Sequence, residues 1–157
     1  IDYLLPAKRL YLLATGTGLA PFMSVIRDPE TYEKFEQVVL VHGVREVKEL
    51  AYRELLEREL KQDEFLGEIV QQQFLYYPTV TREAFVHQGR IPHVIENGQL
   101  AKDLGLPDLS PAEDRVMICG SPEMLRDLKA LCEKRGFAEG STTRPGQFVI
   151  ERAFADS

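Results

Sequence analysis

The feature that most constrains this chain is an alternation. RLYLLA (9–14), QVVLVHGV (37–44), QQFLYYPTV (72–80), RVMICG (115–120) and GQFVIERAF (146–154) read as five strands. Between them, APFMSVIRD (20–28), VKELAYRELLERELKQ (47–62), IPHVIENGQ (91–99) and SPEMLRDLKALCEKRGF (121–137) read as helices, and LGLPDLSPAED (104–114) as a polar loop. Strands that alternate with helices imply a parallel sheet, because parallel neighbours need a crossover connection. The strand runs are almost continuously apolar, as a sheet covered on both faces requires. The expected fold is α/β: a doubly wound five-stranded parallel sheet with helices on both faces. Local signals agree. Pro21 falls in the first turn of a helix, where a missing N–H costs nothing. Ser121 suits an N-cap, followed by Pro122, and Gly136 suits a stop. Pro78 pushes the third strand toward a strand end.

A chain of 157 residues fits one domain with a full core. Its formal net charge of −6 weighs against a nucleic-acid partner, which wants a basic surface. No apolar run approaches the ~20 residues of a membrane helix, so no membrane partner is expected. Cys119 and Cys132 are thirteen positions apart and form no C-x-x-C pair, which argues against a disulfide scaffold or a zinc site. Reduced thiols in a cytoplasmic protein are the simplest reading. The opening IDYLLPAKR, without methionine, hints at a piece of a longer protein, though processing would look the same.

A doubly wound sheet binds ligands outside the carboxyl ends of its strands, where the strand order switches. The residues that follow each strand are therefore the candidates. They are Thr15-Gly16-Thr17-Gly18 after the first, His42-Gly43-Val44-Arg45 after the second, and Thr81-Arg82 with Gly89-Arg90 after the third. Cys119-Gly120-Ser121-Pro122 follows the fourth. A glycine turn entering a helix suits an anion. It is not a Walker loop, because no lysine follows the glycines, and its spacing is not G-x-G-x-x-G. Arginines grip phosphate with paired donors, so Arg45, Arg82 and Arg90 near one rim suit an anionic ligand. Plain readings stand beside these: a tight strand–helix turn, solvated arginines, a thiol packed in the core. The conjunction of turn and arginines favours the ligand. Cys119 shows no cue to a paired base, so a small side chain beside a flat ring suits it better than a nucleophile.

The same landmarks, in this order, resemble the NADP-binding domain of bacterial-type, FAD-dependent ferredoxin/flavodoxin–NADP reductases. LATGTGLAPF, LVHGVR, VTRE, GRIP, CGSPEM and PGQFVIERAF all look like that family's motifs and span residues 9 to 154. TGTGLAP alone is shared with many flavoprotein reductases, whereas VTRE…GRIP followed by CGSPEM is far more restrictive. The resemblance implies two domains, an FAD-binding β-barrel and then the NADP domain. Residues 1–8 would be a linker remnant, 9–154 the NADP-binding domain and 155–157 a tail. The barrel and its R-x-Y-S motif are missing here, so the chain by itself is expected to be inactive.

The roles it implies are these. Arg82 and Arg90 hold the 2′-phosphate of NADP beside Thr81, and Arg45 lies along the phosphates or ribose. Thr15, Gly16, Gly18 and Pro21 floor the pyrophosphate and nicotinamide, and Thr17 also approaches the flavin. Gly120, Ser121, Pro122, Glu123 and Met124 line the nucleotide, and Cys119 sits beside the nicotinamide–flavin contact. Ala153 and Phe154 resemble the tail of bacterial members and belong near the flavin. Implied with them are hydride transfer between NADP and FAD and electron exchange with ferredoxin or flavodoxin. The residues agree on NADP. An NAD site wants a carboxylate on the ribose after the second strand, whereas here Arg45 precedes Glu46. The alternatives are the pyridine-nucleotide module of another flavin-dependent reductase and a non-catalytic nucleotide-binding regulatory domain, since fold does not fix function.

Overall fold

The computed structural model describes residues 3–141 and 143–151. Five parallel strands, β1 (Arg9–Thr15), β2 (Gln37–Val44), β3 (Phe74–Val80), β4 (Asp114–Cys119) and β5 (Phe148–Ile150), pair in the order β3-β2-β1-β4-β5. The chain steps outward from β1 to β3, then crosses back to β4 on the other side of β1. Right-handed crossovers in opposite directions put their helices on opposite faces. One face carries α1 (Ala20–Arg27), α2 (Pro29–Lys34) and α3 (Gly67–Gln73); the other carries α4 (Ile91–Glu96), α5 (Gln99–Leu104) and α6 (Pro122–Lys134).

The period-two geometry of a strand divides each apolar run between two cores. Leu10, Leu12 and Ala14 of β1 pack with Val38 and Leu40 under Phe22, Ile26 and Val70. Tyr11 and Leu13 pack with Val39, Val41 and Ile118 under Val94, Leu128 and Cys132. Both sets are buried, which is why the strands read as continuous apolar runs rather than alternating ones.

Pro78 lies inside β3 rather than at its end, because β3 is an edge strand. Its carbonyl is bonded by His87 Nδ1 at 2.9 Å, so the face of the strand without an N–H is turned away from the sheet. The helix expected over 47–62 does not form as one unit. Val47–Glu49 is a single tight turn, the chain breaks at Tyr52 (φ 61°), Leu55–Glu59 is wound as a π-helix, and Leu60–Gln62 closes with another tight turn. The physical reason lies in the spacing of Leu50, Leu55 and Leu60. Five residues overshoot a 3.6-residue turn by about 140°, so a straight α-helix cannot bury all three on one face. Leu50 packs instead in a small cluster with Val44 and Val80, and Leu56 and Leu60 join the main core.

Two short helices, α2 and α3, fall where no helix was expected. A third, α5, follows the helix that ends at Asn97–Gly98, and Asn97 Oδ1 accepts from Gln99 N at 2.8 Å to start it. Ser121 caps α6 as expected, its Oγ accepting from Met124 N at 3.3 Å. The last strand is shorter than 146–154; residues 152–154 lie outside the described residues. Among the described residues no helix is long and apolar enough to cross a membrane, and no group of three metal-ligating side chains gathers.

Candidate functional site

The strand order switches between β1 and β4, and there the turn after β1 meets the turn after β4. Their approach leaves no room for side chains. A Cβ built on Gly18 would lie 2.5 Å from the Cys119 carbonyl oxygen and 2.9 Å from Gly120 N. A Cβ on Gly120 would overlap Thr15 Oγ1. In the space so preserved, Ser121 N donates to Thr15 Oγ1 at 3.3 Å. The glycines at these positions thus let two backbones close over the carboxyl ends of adjacent strands.

The rim on the other side of β1 is laced in the same way. Thr81 N donates to Val44 O at 3.1 Å and Arg82 N to Arg45 O at 2.9 Å, which continues the β2–β3 pairing past the strand ends. Glu83 Oε1 accepts from Val47 N and ties the two loops together. The segment after Arg82 then folds back on β3. Gly89 N donates to Val80 O at 3.2 Å, Thr79 Oγ1 to Gly89 O at 2.8 Å, and the His87 ring stacks on Tyr77 with centroids 3.8 Å apart. That fold-back delivers Arg90 to the same rim as Arg45 and Arg82.

The result is one cleft of about 760 Å³, within the ~300–1,000 Å³ range of sites for small ligands and cofactors. It is lined by Thr15, Gly16, Thr17, Gly18, Arg45, Thr81, Arg82, Arg90, Cys119, Gly120, Ser121, Pro122, Glu123 and Met124. These are sequence-selected residues drawn from four loops. Pro21 is not among the lining residues: it occupies the second position of α1, half-buried, with its carbonyl accepting from Ser24 Oγ. Ala153 and Phe154 lie outside the described residues.

Gly43 and Val44, candidates after the second strand, also line the cleft, and it has walls that sequence reasoning missed: Glu49, Ile91, Leu125 and Glu151. Ile91 adjoins Arg90, so its loop position held a signal for it. Glu49 had none, because its segment reads only as part of a helix over 47–62. Glu46, the carboxylate weighed against NADP, is not in the cleft. It is occupied with a reciprocal cap, its N–H donating to Glu49 Oε1 at 2.8 Å, and with Lys48 at 3.2 Å.

Charge is mixed. Arg90 Nη2 bonds Asp127 Oδ2 of α6 at 2.9 Å and approaches Glu123 at 4.0 Å. Among the described residues no side-chain bond or ion pair engages the exposed Arg45 and Arg82 guanidinium groups. Cys119 is 3% exposed at the end of β4 and packs with Ala14 and Phe22. Burial raises the Cys132 thiol to about 12, consistent with a purely packed side chain. His42 is fully buried beneath the glycine turn, and its Nε2 lies 2.8 Å from Gly16 O. Burial lowers its pKa from the ordinary histidine value, while the Gly16 bond pulls the other way.

Residues 12–130 match the family model of the oxidoreductase NAD-binding domain. The chain is 57% identical to ferredoxin–NADP reductase A of Sorangium cellulosum over 155 residues, 99% of this chain and 56% of that protein. It is 53% identical to the ferredoxin–NADP reductase of Azotobacter vinelandii, over 98% of this chain and 60% of that one. The chain therefore spans somewhat over half the length of these curated relatives. Among solved structures it resembles a ferredoxin NADP⁺ reductase from Neisseria gonorrhoeae with bound FAD and NADP. That likeness has a TM-score of 0.84 and 31% identity, covering 98% of this chain and 59% of that one.

Proposed function

The chain belongs to the family of oxidoreductase NAD-binding domains, and from that premise we propose that it is the NADP(H)-binding half of a ferredoxin/flavodoxin–NADP reductase. Residues 9–154 form the nucleotide-binding domain, 1–8 a linker and 155–157 a tail. In this reading an FAD-binding barrel belongs to the rest of the enzyme, electrons pass to or from ferredoxin or flavodoxin, and the setting is the cytoplasm. The observation that carries the proposal is the cleft itself: glycine turns on one side, three arginines on the other, joined at the switch in strand order.

The residues fit a phosphorylated dinucleotide. Thr81, Arg82 and Arg90 stand together at the rim after β3 and take the 2′-phosphate, the group that separates NADP from NAD. Arg45, laced to Arg82 by the backbone, serves the phosphates or ribose. A hydrogen bond between charged groups contributes roughly 1.5–3 kcal/mol, so two arginines supply a preference for NADP on the order of 10²–10⁴ after incomplete additivity. Arg90 already uses one nitrogen on Asp127, and its remaining donors are those available to phosphate.

The glycine turn and the Cys119–Met124 segment take the pyrophosphate and nicotinamide. Nicotinamide and flavin supply the hydride chemistry when bound. No side chain of this chain has to move a proton for that step. Its task is to hold one ring flat against the cleft wall and keep water out. The small Cys119 side chain, set flush into the core, permits a ring to lie close, and Thr17 offers a hydroxyl at the mouth.

Thermal shift tests the reading. NADP⁺ and 2′,5′-ADP raise the melting temperature more than NAD⁺ does, and Arg90→Ala removes the difference. Equal shifts from NADP⁺ and NAD⁺ in the unmutated protein overturn the phosphate-site assignment.

A further inference from the structure

His42 is a buried titratable group beneath the cleft that the proposed chemistry does not use. Its Cα lies in register with Ala14 of β1 and Pro78 of β3, directly below the turn that leaves β1. The side chain is fully buried. Nε2 is 2.8 Å from the carbonyl oxygen of Gly16, and Nδ1 has no hydrogen-bond partner among the described residues.

These two facts fix the state of the ring. A carbonyl only accepts, so Nε2 must carry the proton. Nδ1 is then a bare lone pair. A buried acceptor without a partner is tolerated better than a buried N–H without one. The alternative tautomer, and the doubly protonated ring, would each bury an orphan N–H at Nδ1. The ring is therefore a neutral imidazole with a single donor, and that donor points at Gly16.

The consequence for the turn follows from peptide geometry. Gly16 opens the tight turn Gly16–Leu19 with φ +51°, a conformation that favours glycine. The peptide is planar and trans, so its C=O and the next N–H point in opposite directions. With the Gly16 carbonyl drawn inward to His42, the Thr17 N–H is turned outward, where Gly16 and Thr17 line the cleft. Flipping the peptide would bring an N–H against the Nε2–H. Only a ring in its disfavoured tautomer could accept it.

We propose that His42 is a positioning residue that locks the Gly16–Thr17 peptide with its N–H facing the cleft, as a donor to an oxygen of the bound dinucleotide's pyrophosphate or carboxamide. This rests on the reading of the cleft as an NADP site. His42 touches no ligand itself.

The test compares His42→Gln, whose amide N–H₂ reaches about as far as Nε2 and still donates, with His42→Leu, which fills space without a donor. Affinities for NADP⁺ and for 2′,5′-ADP are measured on each by titration calorimetry. The second ligand engages the arginine rim but carries neither pyrophosphate nor nicotinamide. His42→Leu weakens NADP⁺ roughly five- to tenfold, the scale of one hydrogen bond, and leaves 2′,5′-ADP within about twofold, a shift well below one hydrogen bond. His42→Gln restores most of the loss. Equal loss of both ligands in His42→Leu, or no loss of either, overturns the proposal. So does a failure of His42→Gln to bind better than His42→Leu. If His42→Leu does not fold, ¹⁵N shifts of the His42 ring in the unmutated protein decide the matter, because a protonated Nδ1 refutes it. Absence of 2′,5′-ADP binding in the unmutated protein would instead undo the NADP reading and is seen separately.

Discussion

Gly18→Ala puts the geometry of the switch point to a direct test. The new Cβ would sit 2.5 Å from Cys119 O, 2.7 Å from Cys119 C and 2.9 Å from Gly120 N. All three are backbone atoms, so no flexible side chain can turn aside. The β4 end that carries them is held on both edges, by β1 and by Glu151 N donating to Ile118 O at 2.7 Å. Relief requires the β1 turn and the β4 turn to separate by several tenths of an ångström. Overpacking of this kind costs about 1–3 kcal/mol, and rigid neighbours place it in the upper part of that range. At about 2–4 °C per kcal/mol for a chain of this size, the melting temperature falls by roughly 4–12 °C. Gly16→Ala is the matched control. Nothing lies within 4 Å of its Cβ, and only the positive φ of +51° opposes it, at about 1–2 kcal/mol. Both substitutions gain the same small entropy from the unfolded chain, so it cancels in the comparison. Urea unfolding of the two variants is the assay, with NADP⁺ affinity measured alongside. Gly18→Ala should be the less stable and should bind less well, because parting the turns opens one wall of the cleft. If Gly18→Ala unfolds within about 0.5 kcal/mol of the unmutated protein, the close approach has been misjudged; the same holds if Gly16→Ala is the worse of the two.

Two further outcomes follow from buried polar groups. Arg115, 7% exposed, donates to the carbonyls of Leu5 and Pro6 at 3.1 Å each, Pro111 at 2.8 Å and Asp114 at 2.6 Å; Arg115→Met leaves these acceptors unserved and lowers unfolding stability by about 2–4 kcal/mol, measured by urea titration, whereas Arg115→Lys recovers only part because a single ammonium cannot span the fan. The second concerns pH. The folded pKa of His42 lies below its ordinary value of 6.5, so on acidification the unfolded chain takes up a proton first. Stability attributable to His42 is therefore complete above about pH 6.5 and is lost as pH falls from there toward the folded pKa; His42→Gln removes that portion of the melting-temperature decline, and identical pH profiles for the two proteins would contradict it.

What the sequence disclosed follows the physics of burial. QVVLVHGV is buried along nearly its whole length because both sheet faces are covered, so β2 begins and ends at the residues read from it. The cleft was legible for a related reason: in a parallel sheet the residues after successive strands share one edge, so Thr15–Gly18, Arg45, Thr81–Arg82 and Cys119–Met124 had to gather there. Arg90 came with them through the fold-back after β3. In 47–62 leucines five apart look periodic without fitting a 3.6-residue turn, and that false period conceals Glu49 at the rim. Short α2 and α3 carry too few apolar positions to announce a period. Of the two residues that the motif puts in the floor, Gly18 lines the cleft and makes the close contact through its lack of a side chain, whereas Pro21 is not among the lining residues.

That last point explains the odd spacing of the turn. In the G-x-G-x-x-G fingerprint the third glycine serves the close packing of the first helix on its strand. Here α1 begins at Ala20 and packs on the sheet through Phe22, Met23 and Ile26, which are large side chains, so no glycine is needed on the helix. The closest approach is instead between the turns of β1 and β4, where Gly18 faces Cys119 and Gly120 faces Thr15. The demand for a missing side chain has moved from the helix–sheet contact to the switch point, and the second glycine of the pair lies a hundred residues away in sequence. Beneath the turn, His42 Nε2 lies 2.8 Å from the Gly16 carbonyl oxygen. A T-G-T-G turn is thus half of a structure whose other half is C-G-S-P, with a buried imidazole as its support. Motif spacing within one loop is a poor guide to such a site, because the steric requirement is shared between two loops.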